Sequence, residues 1–299
     1  METNHMEHLK GNLRAKKPGR LSRWAGMFCL FFLAIAPVNE NFGAETSATP
    51  LPTLFIIGDS TVNNPTKGLQ GWGTPIALWF DPARIQVQNR ARGGRSSRTY
   101  YTEGLWDQVL AAMKPGDFVL MQFGHNDGGP LTQGRARASL KGSGDETQEV
   151  TEEKTGKKET VHTYGWYMRK YVADAKAKQA TPIVLSLVPR NIWKDDHTVV
   201  RATNDYAKWA GEAAKAQGVA FIDLNDIVAR HYEQLGPEKV KSVYFGEDHT
   251  HTTPAGAQVN AASVVEGLRA LKDCPLVPYL LEKPRENLSP TATNASPAQ

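Results

Sequence analysis

Apolar residues along this chain gather in short runs that stop abruptly at polar ones. LFII (54–57) ends at Gly58, Asp59 and Ser60, and four comparable runs follow: IQVQN (85–89), FVLMQF (118–123), PIVLSLV (182–188) and VAFIDL (219–224). Runs of this length, mostly without polar alternation, predict strands buried on both faces of a parallel sheet. Between them lie stretches of helical length and period at 104–113, 165–179, 204–217 and 254–271. Strands alternating with helices predict an α/β domain with helices on both sheet faces, and ligands of such folds collect at the carboxyl ends of the strands.

Three segments break this rhythm. At the start, Lys10, Arg14, Lys16, Lys17, Arg20 and Arg23 precede WAGMFCLFFLAIA (24–36), a basic region followed by an apolar one. This is the pattern of an export signal, too short for a comfortable membrane span, with small residues near Ala44 where cleavage could follow. The expected mature protein is therefore periplasmic or secreted, without stable membrane association once the signal is removed. RARASLKGSGDETQEVTEEKTGKKET (135–160) is dense in charge, and its later part is expected to fold as a β-hairpin with Gly156 in the turn. It reads either as a solvated surface excursion or as an arm over the active site. The last stretch, 283–299, is rich in Pro, Ser, Thr and Ala and is expected to be disordered. One domain over 45–282, with an insertion at about 135–160, is the simplest division.

Charge changes the picture once the signal is set aside. Of 35 Lys plus Arg and 31 Asp plus Glu, residues 1–44 hold six and three, leaving 29 and 28 and a net charge of +1. Nucleic-acid binding loses its support, because such proteins concentrate basic charge in the binding domain. Only Cys274 would remain after cleavage at Ala44, so no intrachain disulfide is expected.

The predicted strand ends carry the chemistry. After GDS (58–60) come ARGGRSSRTY (91–100), GHND (124–127) and DHTHTTPAGA (248–257). A serine hydroxyl needs a base to take its proton, and that base is usually a histidine held by a carboxylate. Asp248 and His251, three residues apart, are expected to meet on one side of a helical turn. Gly94 can bring a backbone N–H close to a developing oxyanion, Asn126 can add a side-chain amide, and Ser60, expected at a strand-to-helix turn, can add its own N–H. Asp59 reads as structural, holding the serine turn through backbone N–H groups.

In this order, GDS, the Gly94 block, GxND and DxxH resemble the SGNH hydrolases, also called GDSL-like esterases. GDSTV, GWG (71–73), AxGGRSSRTY, FGHNDGG, HTYGWYMRKY (162–171) and HTHTTPAGA sharpen the match to the rhamnogalacturonan acetylesterases, over about 54–271. The resemblance implies a three-layer αβα flavodoxin-like fold around a central five-stranded parallel sheet. It also implies Ser60 as nucleophile, His251 as base, Asp248 as its orienter, and an oxyanion hole of Ser60 N–H, Gly94 N–H and the Asn126 amide. The implied reaction is removal of O-acetyl groups from galacturonate residues of rhamnogalacturonan, with no cofactor and an acetylated acidic polysaccharide as partner. Acetylated xylan is the alternative substrate.

Other residues remain open. Trp72 and Trp193 are candidates to stack on sugar rings. Arg95, Arg98, Arg135, Arg137 and Arg190 are candidates to hold a galacturonate carboxylate, a task suited to the guanidinium fork. His125 and Asp127 read as supports of the Asn126 loop that could also touch substrate. A second enzyme class would take His125, Asp127, Asp248, His249 and His251 as metal ligands; GHND order and the lack of a third clustered histidine argue against it. A non-catalytic carbohydrate-binding module would need the aromatic platforms but not a complete nucleophile, base and oxyanion set.

Overall fold

The predicted apolar runs become strands in a computed structural model that describes residues 50–194 and 197–286. The export segment and residues 287–299 of the expected tail lie outside the described residues. In chain order the strands are β1 (Thr53–Gly58), β2 (Gln86–Asn89), β3 (Phe118–Gln122), β4 (Thr147–Thr151), β5 (Lys158–His162), β6 (Thr181–Leu185) and β7 (Ala220–Ile222). Five of them form one sheet in the order β2-β1-β3-β6-β7, every neighbouring pair parallel, as the apolar runs predict.

Helices α1 (Ser97–Thr102), α2 (Leu105–Ala112), α3 (Tyr164–Ala177), α4 (Tyr206–Gln217), α5 (Leu224–Leu235), the single turn α6 (Pro237–Lys239) and α7 (Pro254–Ala270) surround it. Successive side chains on a strand face opposite ways, and this makes three layers. Leu54, Ile56, Leu120, Ile183 and Leu185 join Val228 and Tyr232 of α5 and Val264 and Leu268 of α7 in one core. Phe55, Ile57, Val119, Met121 and Val184 join Trp106 of α2, Tyr167 and Tyr171 of α3 and Ala210 of α4 in the other. Local sequence sets the helix starts: Thr163 caps α3, accepting the Trp166 N–H at 3.0 Å, and Thr253 caps α7 with Pro254 in its first turn.

Strand order reverses at β1, which lies between β2 and β3. The crevice at such a switch point is where α/β sheets bind ligands. Ser60 leaves the end of β1 and Asn126 the end of β3, so the fold brings both to that crevice.

The charged segment keeps most of its side chains exposed but is anchored to the domain. Strands β4 and β5 pair antiparallel, with Val150 opposite Glu159 and Gly156 in the turn at φ 69°. Arg98 of α1, only 2% exposed, donates from Nε to Glu159 at 2.7 Å and from Nη1 to the carbonyls of Leu131 (3.0 Å) and Ala138 (2.9 Å). Val150 and Val161 are buried. Arg98 is thus a structural anchor rather than a substrate arginine. Residues 283–286, placed by composition in the expected tail, are held by the domain: the Arg285 N–H bonds the Leu78 carbonyl at 2.9 Å and its guanidinium the Ala77 carbonyl at 3.1 Å. Those bonds tie residues 283–286 to the domain despite their lack of apolar side chains. Among the described residues no helix is long and apolar enough to cross a membrane.

Candidate active site

Beyond β1 the chain makes one isolated turn, the Asn63 N–H donating to the Asp59 carbonyl at 3.0 Å, in place of the expected helix start. Asp59 is fully buried, and its Oδ1 accepts from the Thr61 N–H at 2.9 Å and the Thr61 hydroxyl at 2.8 Å. That hydroxyl accepts from Gln122 Nε2 (2.7 Å), and Gln122 Oε1 accepts from Trp72 Nε1 (2.8 Å). The turn therefore stands on a buried polar chain from Asp59 Oδ1 through Thr61 and Gln122 to Trp72, with Asp59 Oδ2 left without a partner among the described residues. Trp72 has no exposed surface. It supports the nucleophile turn from inside and is not a sugar platform, which corrects the expectation. Its neighbour Gly71 passes so close beneath the turn that a Cβ there would lie 2.2 Å from the Val62 carbonyl carbon.

The serine hydroxyl delivered by this turn meets the late loop. Ser60 Oγ lies 2.8 Å from His251 Nε2, and His251 Nδ1 lies 2.7 Å from Asp248 Oδ2. Asp248 and His251 do meet, but not through a helical turn. Asp248 Oδ1 accepts the Thr250 N–H at 2.6 Å and the His251 N–H at 2.7 Å, so the carboxylate shapes its own loop. Burial pushes the Asp248 carboxyl up, but the hydrogen bonds from the His251 ring, the His251 N–H and the Thr250 N–H outweigh it and hold the group at about 2. An Asp248 carboxylate on Nδ1 favours the tautomer whose Nε2 can accept a proton from Ser60.

The loop after β2 closes the other side. The Arg92 N–H bonds the Gly58 carbonyl at 3.0 Å and Asn63 Nδ2 bonds the Ala91 carbonyl at 2.9 Å. A Cβ on Gly93 would sit 3.6 Å from Ser60 Cβ, which brings the Gly93–Gly94 backbone against the serine, and Gly94 has φ 78°. Asn126 spends one amide hydrogen on the Arg95 carbonyl at 2.9 Å, which fixes the amide plane and leaves the second hydrogen available. The N–H groups of Ser60 and Gly94 are without a protein acceptor among the described residues. Donors kept free beside a serine are what a developing oxyanion requires.

Residues 56–259 match the GDSL-like lipase/acylhydrolase family. The chain belongs to that family. It is 35% identical over 230 residues to a rhamnogalacturonan acetylesterase of Emericella nidulans, covering 75% of this chain and 90% of that one. It is 26% identical over 246 residues to the rhamnogalacturonan acetylesterase RhgT of Bacillus subtilis, covering 77% and 94%. Among solved structures, the fold resembles that of YxiM from Bacillus subtilis at TM-score 0.60 and 24% identity, over 74% of this chain and 56% of that one.

Within this GDSL-like frame the remaining candidates separate. Asp127 is buried and accepts from the Ser97 N–H at 3.1 Å and the Ser139 hydroxyl at 3.1 Å, which ties the GHND loop to the start of α1. Burial pushes its carboxyl up to about 7 against the pull of those hydrogen bonds. His125 has its ring nitrogens buried; burial pushes its imidazole down to about 4, with Arg190 and His251 acting the same way and Asp59 opposing. Arg95 is neutralised by Glu103 at 2.9 Å. Arg190 donates to the His125 carbonyl at 3.4 Å and lines a cavity of about 400 Å³ with His125 and Tyr206. Trp193 is half-buried, its Nε1 held by Asn191 at 2.7 Å, and shares a cleft of about 330 Å³ with Asp248 and His249. Arg135 and Arg137 reach Gly94. Both ring nitrogens of His251 are engaged, Asp127 is turned to Ser97 and Ser139, and no group of three or more acidic, His or Cys residues among those described is arranged to hold a metal. Sequence reading missed the Thr61–Gln122–Trp72 chain and the Ser97 and Ser139 contacts to Asp127; their signal was only that polar residues stood inside otherwise apolar or motif-bearing segments.

Proposed function

We propose that this chain is a serine esterase that releases acetate from O-acetylated galacturonate residues of rhamnogalacturonan, acting outside the cytoplasm. The substrate reading is supported by its likeness to the fungal rhamnogalacturonan acetylesterase across most of that protein's length. The chemistry is supported above all by the contact of Ser60 Oγ with His251 Nε2 at 2.8 Å. Ser60 Oγ attacks the acetyl carbonyl carbon as His251 Nε2 takes its proton. The carbonyl oxygen, now an anion, accepts hydrogen bonds from Ser60 N–H, Gly94 N–H and Asn126 Nδ2. Collapse of the tetrahedral intermediate breaks the bond to the sugar oxygen, which leaves with the proton from His251. Water, deprotonated by the same imidazole, then releases acetate and restores Ser60. Asp248 stabilises the imidazolium at each stage.

The test is acetate release from acetylated rhamnogalacturonan and acetylated xylan at matched acetyl content. Rhamnogalacturonan should be favoured in kcat/KM by about tenfold or more, a gap of about 1.4 kcal/mol. Preference for xylan would replace the substrate, and no acetate from either, with a Ser60→Ala protein equally inert, would remove the acetylesterase reading.

A further inference from the structure

We propose that Arg135 and Arg137 form a two-guanidinium clamp for the carboxylate of a uronate sugar, set beside the oxyanion loop by the left-handed backbone of Ala136. The inference rests on reading the chain as an esterase of an acidic polysaccharide, and it selects two of the five arginines that the sequence leaves open.

Three independent features meet here. The first is convergence: the Nη1 atoms of both Arg135 and Arg137 lie 3.8 Å from where a Cβ on Gly94 would sit, and Arg137 Nη1 also donates to the Gly94 carbonyl at 3.0 Å. A Cβ on Gly93, one residue earlier, would lie 3.6 Å from Ser60 Cβ. The two-glycine loop is thus the spacer between nucleophile and guanidinium groups, so an acetyl group at Ser60 and a carboxylate at the clamp belong to the same or an adjacent sugar.

The second feature is unbalanced charge. Arg95, Arg98, Arg169, Arg201 and Arg230 each have a carboxylate within ion-pair distance. Arg135 and Arg137 have none among the described residues; Arg84, Arg90, Arg92, Arg190, Arg269 and Arg285 also lack one, but Arg135 and Arg137 converge on one glycine close enough to repel each other. Burial and the neighbouring Arg135 charge both push the Arg137 guanidinium down, against the more distant pull of Asp59 and Asp127. Two cations held together without an anion are relieved by one arriving between them, and a carboxylate matches the guanidinium fork.

The third is backbone strain. Ala136 has φ 44° and is buried. A residue with a Cβ seldom adopts this conformation, and where it does the surroundings over-determine it, commonly at ligand clamps. Here the reversal at Ala136 lets the flanking residues address the same glycine. Arg190, by contrast, shares its cavity with Arg201, a guanidinium already paired with Asp226 and Glu233.

The experiment compares kcat/KM for an acetylated rhamnogalacturonan oligosaccharide with kcat/KM for the same oligosaccharide after reduction of its carboxyl groups to neutral alcohols. The ratio is the readout, because it cancels any change in the chemical step. Wild type should favour the acid by about tenfold or more, as expected for charge-assisted hydrogen bonds. In R135Q/R137Q the ratio should fall to near one; R135K/R137K should keep part of it, as point charges without the fork. R135Q alone alters an exposed side chain, and should lower the ratio by about threefold even if the double variant folds poorly. A wild-type ratio near one in an enzyme that deacetylates both oligosaccharides overturns the clamp and leaves the esterase reading standing. An undiminished ratio in R135Q/R137Q overturns it too. No acetate from either oligosaccharide, with activity on 4-nitrophenyl acetate retained, refutes the polysaccharide reading and the clamp with it.

Discussion

The carboxylate of Asp248 holds His251 at two points: Oδ2 faces the ring Nδ1 at 2.7 Å while Oδ1 accepts the backbone N–H of the same residue at 2.7 Å. Loop shape and ring tautomer therefore depend on one side chain. Asp248→Asn separates the two roles. Its Oδ1 can still accept the backbone N–H groups, so the loop should persist, but an amide N–H against Nδ1 favours the tautomer that carries its proton on Nε2. That proton blocks acceptance from Ser60. We expect kcat to fall about 10³-fold, toward the low end of such effects because the side chain is half exposed and water can partly substitute. An unchanged kcat in a correctly folded variant would remove Asp248 from the mechanism.

Two histidines flank Thr250, and only one reaches the serine. His251→Ala should cost several orders of magnitude in kcat, as should Ser60→Ala, with the far-UV spectrum and thermal midpoint of both variants close to wild type. His249 is exposed, and its backbone carbonyl, which accepts from the Asn191 N–H at 2.8 Å, survives substitution. His249→Ala should retain 4-nitrophenyl acetate hydrolysis within about threefold, because surface substitutions of this kind move little. Rates of both histidine variants on that ester decide the matter, and loss in the wrong one would place the base at residue 249.

Asp127 and His125 should give stability opposite dependences on pH. The Asp127 carboxyl is raised from an ordinary 3.8 to about 7, so between about pH 4 and 7 the folded protein keeps a proton that the unfolded chain releases, and stability falls as pH rises. The His125 imidazole is lowered from 6.5 to about 4, so over roughly the same range the unfolded chain binds a proton that the folded protein refuses, and stability rises with pH. In wild type the two slopes oppose each other. Thermal midpoints measured from pH 4 to 7 at constant ionic strength should climb more steeply with pH in Asp127→Asn than in wild type, and less steeply in His125→Asn. The amide oxygen that Asp127→Asn introduces can still accept from Ser97 and Ser139, which limits the cost of that substitution. Two profiles parallel to wild type would show that neither group titrates as its burial implies.

The parts of the molecule legible in the sequence are those set by local pattern. The runs that became β1, β3 and β6 are unbroken because both their faces are buried, and the order of GDS, GGR, GHND and DHTH names the site because each block carries its own chemistry. Helix α5 escaped because only Asp223 separates it from β7, so its apolar positions at Leu224, Val228 and Tyr232 ran on from the preceding strand. Long-range placement was not legible. Nothing near Trp72 says that its N–H will find Gln122 across the sheet, and an aromatic in a glycine-rich motif reads equally as platform or as support. Likewise Arg98 and Arg137 look alike in sequence; one is decided by Glu159, 61 positions away, and the other by the lack of any such partner among the described residues.

That buried pair supplies the last prediction. Arg98 Nε and Glu159 meet at 2.7 Å with side chains 2% and 14% exposed, and they join α1, which follows the oxyanion loop, to β5 of the hairpin. Removing Glu159 leaves a buried guanidinium uncompensated, and removing Arg98 leaves Glu159 only the exposed Lys157 at 3.5 Å. Breaking a buried pair typically costs about 3–5 kcal/mol, whereas replacing both by apolar residues of similar volume is often near neutral. Arg98→Ala also strips the Leu131 and Ala138 carbonyls of their donor. In urea titrations Arg98→Ala should therefore lose about 3 kcal/mol or more, and Arg98→Met with Glu159→Leu should recover much of that loss. The same contact bears on deletion of 141–160, which would take Glu159 with it and leave Arg98 buried and unpaired. Such a deletion should reduce stability and small-ester hydrolysis together, since α1 and the Gly94 loop are continuous in the chain. Hydrogen exchange across 147–162 distinguishes the outcomes: faster exchange there in Arg98→Ala shows that the pair holds the hairpin down, and protection equal to wild type shows that Val150 and Val161 suffice without it.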